Sequence, residues 1–312
     1  MRNEMKIFNS LEEIDIMDNT AVALGNFDGL HTGHMHLIRS MKKTAEEKGL
    51  VPAVFTFSNH PSALITGDKV PEIIYADDKA EILENEGIGV LFNIPFTEEI
   101  RNMSPERYVR ELLIEKFRMK DAFCGFNYRF GAKAAGDTEL FAALAKELGF
   151  ALHVMDPVKD GGDVVSSTLI RKAVMTGDMK EAARLLGRPY VIKGTVAEGN
   201  KLGRTIGFPT CNISVDEGMV QPANGVYQTT CKYDGTEYRS ITNVGVKPTI
   251  GEYEKNIETN IFDFDKDIYG CEIEVRFLDR IREEKKFSGI EELKMQIAKD
   301  CMTANKLHSD GM

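Results

Sequence analysis

The stretch Ala23-Leu24-Gly25-Asn26-Phe27-Asp28-Gly29-Leu30-His31-Thr32-Gly33-His34 decides the fold of the first half of this chain. An apolar run precedes it and a helical pattern follows, so it predicts a strand, a glycine-rich turn and a helix N-terminus. Glycines let a backbone approach a ligand closely, and a helix N-terminus offers N–H groups and a positive dipole end. Imidazoles can donate hydrogen bonds to phosphoryl oxygens as charge builds there. The predicted nucleotide-phosphate residues are Gly25, Asn26, Phe27, Asp28, His31, Gly33 and His34.

Two other interpretations of the histidines stay open at this point. His31, His34 and His36 have the spacing H-x-x-H-x-H, which a metal site could use, although no cysteine or cluster of acids nearby completes a zinc site. Two surface histidines at a plain helix start also fit. The strand–turn–helix context favours nucleotidyl transfer, in which the two imidazoles stabilise the transition state at the α-phosphate.

Composition bounds the class of protein. The 312 residues suffice for two domains, and 42% hydrophobic with 28% charged residues is ordinary for a globular chain. A net charge of −10 gives no global attraction for nucleic acid or an anionic membrane, so we expect neither as a partner. The five scattered cysteines predict free thiols in a reducing cytosol. Without a signal-peptide pattern, a membrane-length apolar run or a long heptad, we expect a cytoplasmic protein that is monomeric or weakly associating.

Strand-like and helix-like patterns alternate in the first half. Apolar runs lie at 21–24, 53–57, 89–94, 122–126 and 150–155, with helical patterns at 35–48, 105–118 and 138–148 between them. Gly49 fits a helix C-cap, and Ser104 and Pro105 fit the N-cap and first position of a helix. This alternation predicts a parallel α/β sheet, in which ligands bind beyond the carboxyl ends of the strands.

The pattern changes at Gly187-Arg188-Pro189. Short β-rich runs follow at 191–196, 226–232, 238–246, 257–264 and 272–277, with turn signals at Asp234-Gly235 and Tyr269-Gly270. They predict an antiparallel barrel, followed by a helix at 290–299 and a loose polar tail after Cys301. We therefore expect two domains, 1–186 and 187–312.

Further motifs carry candidate chemistry in the first domain. Ser166-Ser167-Thr168 opens a helix that carries Arg171 one turn on, and hydroxyls, free N–H groups and a guanidinium suit a phosphate. Alone, this string is an ordinary N-cap; with the histidine motif, it would clamp a triphosphate from the other side. His60-Pro61 and Asn127 follow predicted strands and could border a flat heterocycle. Taken in isolation, these strings are better explained as ordinary core and turn residues.

The second domain has a glycine-rich segment and a strand carboxylate. Thr210 and Asn212 offer oxygen ligands for Mg²⁺. Glu258 lies in a β run, where we expect it to point into the barrel mouth and to act as a general base, unless it is a solvated strand residue. Dense glycines around an arginine suggest a phosphate-binding loop or, alternatively, only β-turns; these candidates for ATP are Gly194, Gly199, Gly203, Arg204 and Gly207.

Taken in this order, the motifs resemble those of the bacterial bifunctional riboflavin kinase/FMN adenylyltransferases, also called FAD synthetases. The resemblance spans about residues 15–300 and includes Gly187-Arg188-Pro189-Tyr190, Asn243-Val244-Gly245 and Arg282-Glu283-Glu284. It implies a nucleotidylyltransferase-like, Rossmann-like N-terminal domain that adenylylates FMN to FAD and releases pyrophosphate. It also implies a C-terminal β-barrel with a terminal helix that phosphorylates riboflavin to FMN.

The resemblance also implies roles for individual residues. His31 and His34 would contact ATP phosphates, with Ser167, Thr168 and Arg171 on the far side. Asn127 and the His60-Pro61 turn would line the flavin side. In the barrel, Thr210 and Asn212 would hold Mg²⁺ and ATP, and Glu258 would take the ribityl hydroxyl proton. Arg282 and Phe287 would lie near the flavin.

The chain departs from the family pattern in three places: Cys211 replaces an alanine, Asn127-Tyr128 stands where the family often has Asp-Phe, and Asn260 replaces a frequent histidine. The changes at Cys211 and Asn260 leave room for a rival hypothesis, an adenylyltransferase with a weakened kinase. A third hypothesis is a flavin-binding regulatory module without turnover. Product analysis from riboflavin and ATP separates the three.

Overall fold

The computed structural model describes residues 4–198, 203, 206–248 and 253–310. Contacts divide the chain into two compact units, Met1–Ser166 and Ser167–Met312. The two helices between 167 and 186 make their contacts mainly within the second unit. The boundary between 186 and 187 that composition and turns suggest stays a prediction about domains.

The first unit is built on a six-stranded parallel sheet with the order β1-β4-β3-β2-β5-β6. Val22 and Leu24 of β2 pack into one apolar cluster, and Ala21 and Ala23 pack into the other. Burial on both faces is what a parallel sheet requires. The strands are Lys6–Phe8 (β1), Thr20–Leu24 (β2), Val51–Phe57 (β3), Val90–Ile94 (β4), Met119–Gly125 (β5) and Ala151–Met155 (β6).

Helices cover both faces of this sheet. Gly49 caps α1 in the left-handed conformation at φ 65°, and the Ser104 side chain accepts from the Arg107 N–H at 3.3 Å, so both predicted caps are confirmed. The helix that Pro105 opens continues with π-helical hydrogen bonding over Tyr108–Lys116, which a 3.6-residue period does not predict. The helices are Thr32–Lys48 (α1), Pro61–Ile65 (α2), Ala76–Glu86 (α3), Glu98–Asn102 (α4), Pro105–Arg107 (α5) and Thr138–Leu148 (α6).

The last strands of the first unit form a small hairpin, Lys159–Asp160 (β7) and Asp163–Val164 (β8). A backbone bond from the Val165 N–H to the Val158 carbonyl closes its base at 3.0 Å.

The second unit begins with two helices and closes into an antiparallel barrel in the order β10-β13-β12-β11-β14-β9. The predicted barrel is confirmed, and it includes β10, which the glycine-rich surroundings of Asn212 concealed. Its elements are Ser167–Thr176 (α7), Met179–Leu186 (α8), Tyr190–Ala197 (β9), Cys211–Val215 (β10), Gly225–Tyr233 (β11), Thr236–Pro248 (β12), Tyr253–Ile261 (β13), Glu272–Arg282 (β14) and Ile290–Asp310 (α9).

The terminal helix is longer than predicted. It continues through Cys301 to Asp310 because Ala304 is fully buried and His308 is 8% exposed, so the expectation of a loose tail was wrong. Ala304 packs with Val226 and Ile241 on the outer face of the barrel. Among the helices within the described ranges, none has the length and hydropathy to cross a bilayer.

Alternation along the barrel strands decides which side chains face inward. Thr229, Thr242 and Thr259 are fully buried, and their hydroxyls hydrogen-bond to one another at 2.8 and 2.9 Å. Ile257 and Thr259 of β13 therefore face the interior, and the residue between them faces outward.

Candidate active sites

The opening motif lies at the point where the order of the parallel sheet reverses. The chain moves from β2 through β3 to β4 on one side and then returns to β5 on the other side of β2. Leu24 and Cys124 are register partners at the carboxyl ends of β2 and β5. The loops that begin at Gly25 and Gly125 thus start side by side, which is where open α/β sheets bind ligands.

The two histidines are held against each other at the start of α1. His31 is the N-cap, and its Nδ1 accepts the backbone N–H of His34 at 3.2 Å. The rings stack with their centroids 3.5 Å apart and their planes 17° apart. Because Nδ1 of His31 accepts, the neutral ring carries its proton on Nε2.

His34 is set up as a neutral imidazole. Burial lowers its pKa well below the ordinary histidine value, and the neighbouring His31 and Lys79 lower it further. The residue is part-exposed, but its Nδ1 is buried and has no hydrogen-bond partner within the described ranges. A buried, uncommitted ring nitrogen is costly unless a ligand engages it. This site therefore suits an anion that hydrogen-bonds to a neutral donor.

The glycine-rich loop before the helix is shaped from within. Phe27 is 1% exposed, has φ 45° and packs edge-on against the His34 ring at 5.2 Å. Asp28 is 7% exposed and accepts the Ile73 N–H at 2.9 Å. The Asn26 carbonyl accepts from the Thr56 hydroxyl at 2.8 Å. Phe27 and Asp28 thus fix the loop, and a Cβ on Gly25 or Gly33 would lie 3.0 Å from the Phe27 ring or 3.2 Å from the His31 ring.

The predicted flavin-side residues lie on the flanks of this loop. His60 caps α2 after β3, where its Nδ1 accepts the Ser62 N–H at 3.2 Å, and Pro61 takes the first helical position. Asn127 and Phe126, which is 47% exposed, follow β5. Since β3 and β5 are the two neighbours of β2, both turns border the motif at the same edge of the sheet.

The serine–threonine motif straddles the division between the units. Ser166 ends the first unit and follows Val165, which closes the β7–β8 hairpin on Val158. A Cβ on Gly33 would lie 3.7 Å from the Val158 side chain, so the hairpin base adjoins the histidine motif. Ser167 and Thr168 open α7, with Arg171 in its second turn.

In the barrel, three polar residues form a row across neighbouring strands. Glu258 of β13 is the register partner of Asn212 of β10 on one side and of Asn243 of β12 on the other. The Asn256 amide donates to Glu258 Oε1 at 2.5 Å. Glu258 lies on the outer face, since Ile257 and Thr259 face inward; the expectation that it points into the barrel mouth was wrong. Sequence reasoning also assigned no role to Asn243 and Asn256.

At two glycines near this row, neighbouring backbone lies too close to leave space for a Cβ. A Cβ on Gly194 would lie 2.2 Å from the Ser214 carbonyl, and one on Gly203 would lie 2.3 Å from the Phe208 carbonyl and 3.3 Å from the Thr210 hydroxyl. Gly207 has φ +90°. Gly199 and Arg204 lie outside the described residues. Gly194 therefore allows β9 to pack against β10, and Gly203 lies next to the candidate metal ligand Thr210.

A cavity of 630 Å³ adjoins the same strands. The Asn260 amide donates to the Pro209 carbonyl at 2.6 Å, and Arg239 pairs with Asp263 at 3.3 Å. Sequence reasoning missed this cavity because its lining comes from four separate segments. The lining residues are Gly207, Phe208, Pro209, Arg239, Asn260, Ile261, Phe262, Asp263, Phe264 and Asn305.

The remaining predicted flavin residues have structural partners. Arg282 forms an ion pair with Asp300 of α9 at 2.8 Å, and Asp300 is 4% exposed. The Arg282 guanidinium lies 5.8 Å from the centroid of the Phe287 ring. The Asn224 amide donates to Glu284 at 3.1 Å, and a Cβ on Gly245 would lie 3.0 Å from Glu284. Arg282 therefore helps to hold α9 on the barrel.

Comparison with known proteins assigns both units. A FAD synthetase family model matches residues 13–169, and a riboflavin kinase family model matches residues 186–308. A Bacillus subtilis (strain 168) protein named bifunctional riboflavin kinase/FMN adenylyltransferase is 38% identical over 299 residues, 93% of each chain. The Escherichia coli (strain K12) protein of the same name is 32% identical over 291 residues, again 93% of each chain.

A solved structure has the same fold. A crystal structure described as a macrolide-efflux protein from Streptococcus pneumoniae has a TM-score of 0.89 and 31% identity, and the match covers 97% of this chain and 99% of that chain.

The fold and the two polar sites define a two-domain transferase, with a nucleotidyltransferase-type sheet joined to a kinase barrel. The matches then fix the family. The chain belongs to the bifunctional riboflavin kinase/FMN adenylyltransferases, with the FAD synthetase domain first and the riboflavin kinase domain second.

Proposed function

We propose that the two family reactions run at the two sites described above. The row on β10, β13 and β12 transfers a phosphoryl group from ATP to riboflavin, giving FMN and ADP. The loop and helix start after β2 transfer AMP from ATP to FMN, giving FAD and pyrophosphate. The single observation that supports two separate sites best is that the histidine motif after β2 and the Asn212–Glu258–Asn243 row of the barrel share no residue.

In the kinase reaction, Glu258 acts as the general base. Its carboxylate is half-buried and keeps one oxygen on the Asn256 amide, which leaves the other oxygen to accept the proton of the ribityl hydroxyl. Asn212 and Asn243 flank it on the adjacent strands. Positioning and charge stabilisation do most of the work in phosphoryl transfer, so the fixed spacing across three strands is the main contribution of the protein.

The residues fit Mg²⁺. Thr210 and Asn212 offer neutral oxygen ligands beside the Glu258 carboxylate, and Gly203 leaves room where a Cβ would press on Thr210. Mg²⁺ prefers a few protein oxygens together with phosphates. When bound, the ion would neutralise charge on the phosphates of ATP. The adjoining cavity would hold the rest of the nucleotide, with Asn260 keeping the Pro209–Thr210 turn in place.

In adenylyl transfer, His31 and His34 act as hydrogen-bond donors rather than nucleophiles. A phosphate oxygen of FMN attacks the α-phosphorus of ATP, and the bond to the pyrophosphate breaks with its electron pair leaving on the departing oxygen. The neutral His34 and the Nε2 proton of His31 would stabilise the charge on the phosphoryl oxygens. Ser166, Ser167, Thr168 and Arg171 would hold the triphosphate, and Asn127 with His60-Pro61 would border the flavin.

Three broader expectations remain part of this proposal. The domain boundary at 186/187 accords with the start of the riboflavin kinase match at residue 186. Free cysteines support a cytoplasmic location. The acidic chain supports small-molecule partners, with a monomeric or weakly associating state and no nucleic-acid partner.

Chromatography of flavin products over time tests the proposal. From riboflavin, ATP and Mg²⁺ we expect FMN to appear first and to decline as FAD rises. Glu258→Gln should make no FMN from riboflavin but should still convert added FMN to FAD. His34→Ala should stop at FMN. Loss of both reactions in either variant, with the fold intact, would contradict separate sites.

A further inference from the structure

Lys79, which belongs to none of the sequence motifs, lies in a helix that packs against the histidine motif. Lys79 is in the first turn of α3, where its N–H donates to the Tyr75 carbonyl at 3.0 Å. The segment that leads into this helix is held against the motif loop, since the Ile73 N–H donates to Asp28 and a Cβ on Gly29 would lie 3.1 Å from the Ile73 side chain. Leu83, fully buried, anchors α3 in the core with Leu30 and Phe27. The start of α3 is therefore a fixed wall of the motif.

The charge of Lys79 acts on this site. Its ammonium interacts with the carboxylates of Asp28 and Glu72, and its positive charge is one of the influences that keep His34 neutral. Burial lowers the pKa of Lys79 more than the two carboxylates raise it. Within the described ranges, its Nζ makes no ion pair within 4 Å and no hydrogen bond. The carboxylates therefore compensate this cation only in part.

The partly compensated charge of Lys79 and the Nδ1 of His34, which is unpaired among the described residues, together favour an anion at this site. Asp28 already accepts a backbone N–H, which limits how far it can turn toward Lys79. The N-terminus of the 17-residue helix α1 adds its positive dipole end to the same place. A ligand with several negative charges would satisfy the cation, the imidazole and the helix end together.

We propose that Lys79 is a further phosphate-binding residue of the adenylyl-transfer site, with its ammonium beside His34 against the phosphate oxygens of ATP. This rests on the assignment of adenylyl transfer to the histidine motif. As the bond between the α-phosphorus and the pyrophosphate oxygen breaks and the FMN oxygen bonds to phosphorus, negative charge increases on the oxygens near Lys79. A fixed cation there stabilises the transition state.

The test measures pyrophosphate released from FMN and ATP, which reports adenylyl transfer alone. We expect Lys79→Gln to lower kcat/KM for ATP by about 10²-fold, with the KM for FMN unchanged. ADP release with riboflavin, a reaction of the other unit, should be unchanged, and thermal unfolding reports whether the first unit is folded. The matched control is Lys42→Gln, which removes a lysine from the same pair of helices, where its Nζ donates to the Glu86 carbonyl at 2.8 Å, far along α3 from the motif.

A second variant separates phosphate binding from charge balance. If Lys79 only compensates carboxylates, Glu72→Gln combined with Lys79→Gln should restore both stability and adenylyl transfer. Under the proposal, the double variant regains the unfolding temperature but keeps the low kcat/KM for ATP. This holds even if Lys79→Gln alone unfolds the first unit.

The outcomes are distinct. Wild-type adenylyl transfer in the double variant, a single-variant loss below about threefold, or an equal loss in Lys42→Gln would overturn the role of Lys79. Full adenylyl transfer in His34→Ala would instead overturn the assignment of the site itself, whatever Lys79 does.

Discussion

The close packing of β9 against β10 positions the row of Asn212, Glu258 and Asn243, and a substitution at Gly194 tests this. In Gly194→Ala, the added methyl would lie 2.2 Å from the Ser214 carbonyl oxygen and 2.3 Å from Ile213 Cγ2. Both distances are more than 1 Å inside the 3.4 Å at which ordinary contact begins. One of these neighbours is backbone, so the strand itself must move by about 1 Å.

Moving β10 also moves Asn212, which belongs to this row. Asn212 is on β10, next to Ile213, and its spacing to Glu258 depends on the register of β10 with β13. A misplacement of about 1 Å can cost about 10²-fold in rate, and overpacking costs about 1–3 kcal/mol of stability. We expect riboflavin phosphorylation to fall about 10²-fold, while adenylyl transfer from added FMN is retained.

The assay is a steady-state kinase measurement beside thermal unfolding. Gly235→Ala is the matched control, because Gly235 has φ +73° in the β11–β12 turn and nothing within 4 Å of its Cβ position. It should cost about 1 kcal/mol through backbone strain without moving the row. If the kinase activity of Gly194→Ala stays within about threefold of wild type, or if both variants lose the same activity, the position of β10 does not control the kinase site.

Three further predictions concern contacts of single side chains. Asn256→Ala removes the amide that donates to Glu258, so kinase kcat should fall about tenfold, the equivalent of one hydrogen bond, in steady-state assays; an unchanged kcat would show that the carboxylate is positioned by other contacts. The lowered pKa of His34 means that the unfolded chain binds a proton there that the folded chain does not, so stability is fully present above the ordinary histidine pKa and is lost as pH falls below it. Between about pH 7.5 and about pH 5.5, the unfolding temperature should fall less in His34→Gln than in wild type. Equal falls would contradict a neutral buried imidazole. Asp121 is 3% exposed and lies 2.5 Å from Lys48 Nζ and 2.9 Å from His153 Nε2. Asp121→Asn should lower the free energy of unfolding by about 1–2 kcal/mol, because both partners are part-exposed. A loss above about 4 kcal/mol in denaturant unfolding would show that this cluster is more deeply coupled.

Much of the architecture could be predicted from the sequence because periodicity reports burial directly. The runs at 53–57 and 122–126 coincide closely with β3 and β5, since a strand buried on both faces must be apolar throughout. The turn signal Asp234-Gly235 is confirmed, with φ 48° and 73° at the two positions. The predicted terminal helix is too short because the last turns of the helix are polar in sequence. These turns are held in place by the packing of Ala304 and His308.

The candidate sites were predictable only in their residue types. The strand–turn–helix at His31 and the presence of Glu258 in a strand both follow from local patterns, so the amino-acid sequence is enough to predict them. Local patterns do not report that Glu258 lies between Asn212 and Asn243 on the outer face, because this placement follows from strand register, which joins residues far apart in the chain. The packing of α3 against the motif loop likewise brings the charge of Lys79 to act on His34, whereas in the sequence Lys79 is only a lysine near a helix start.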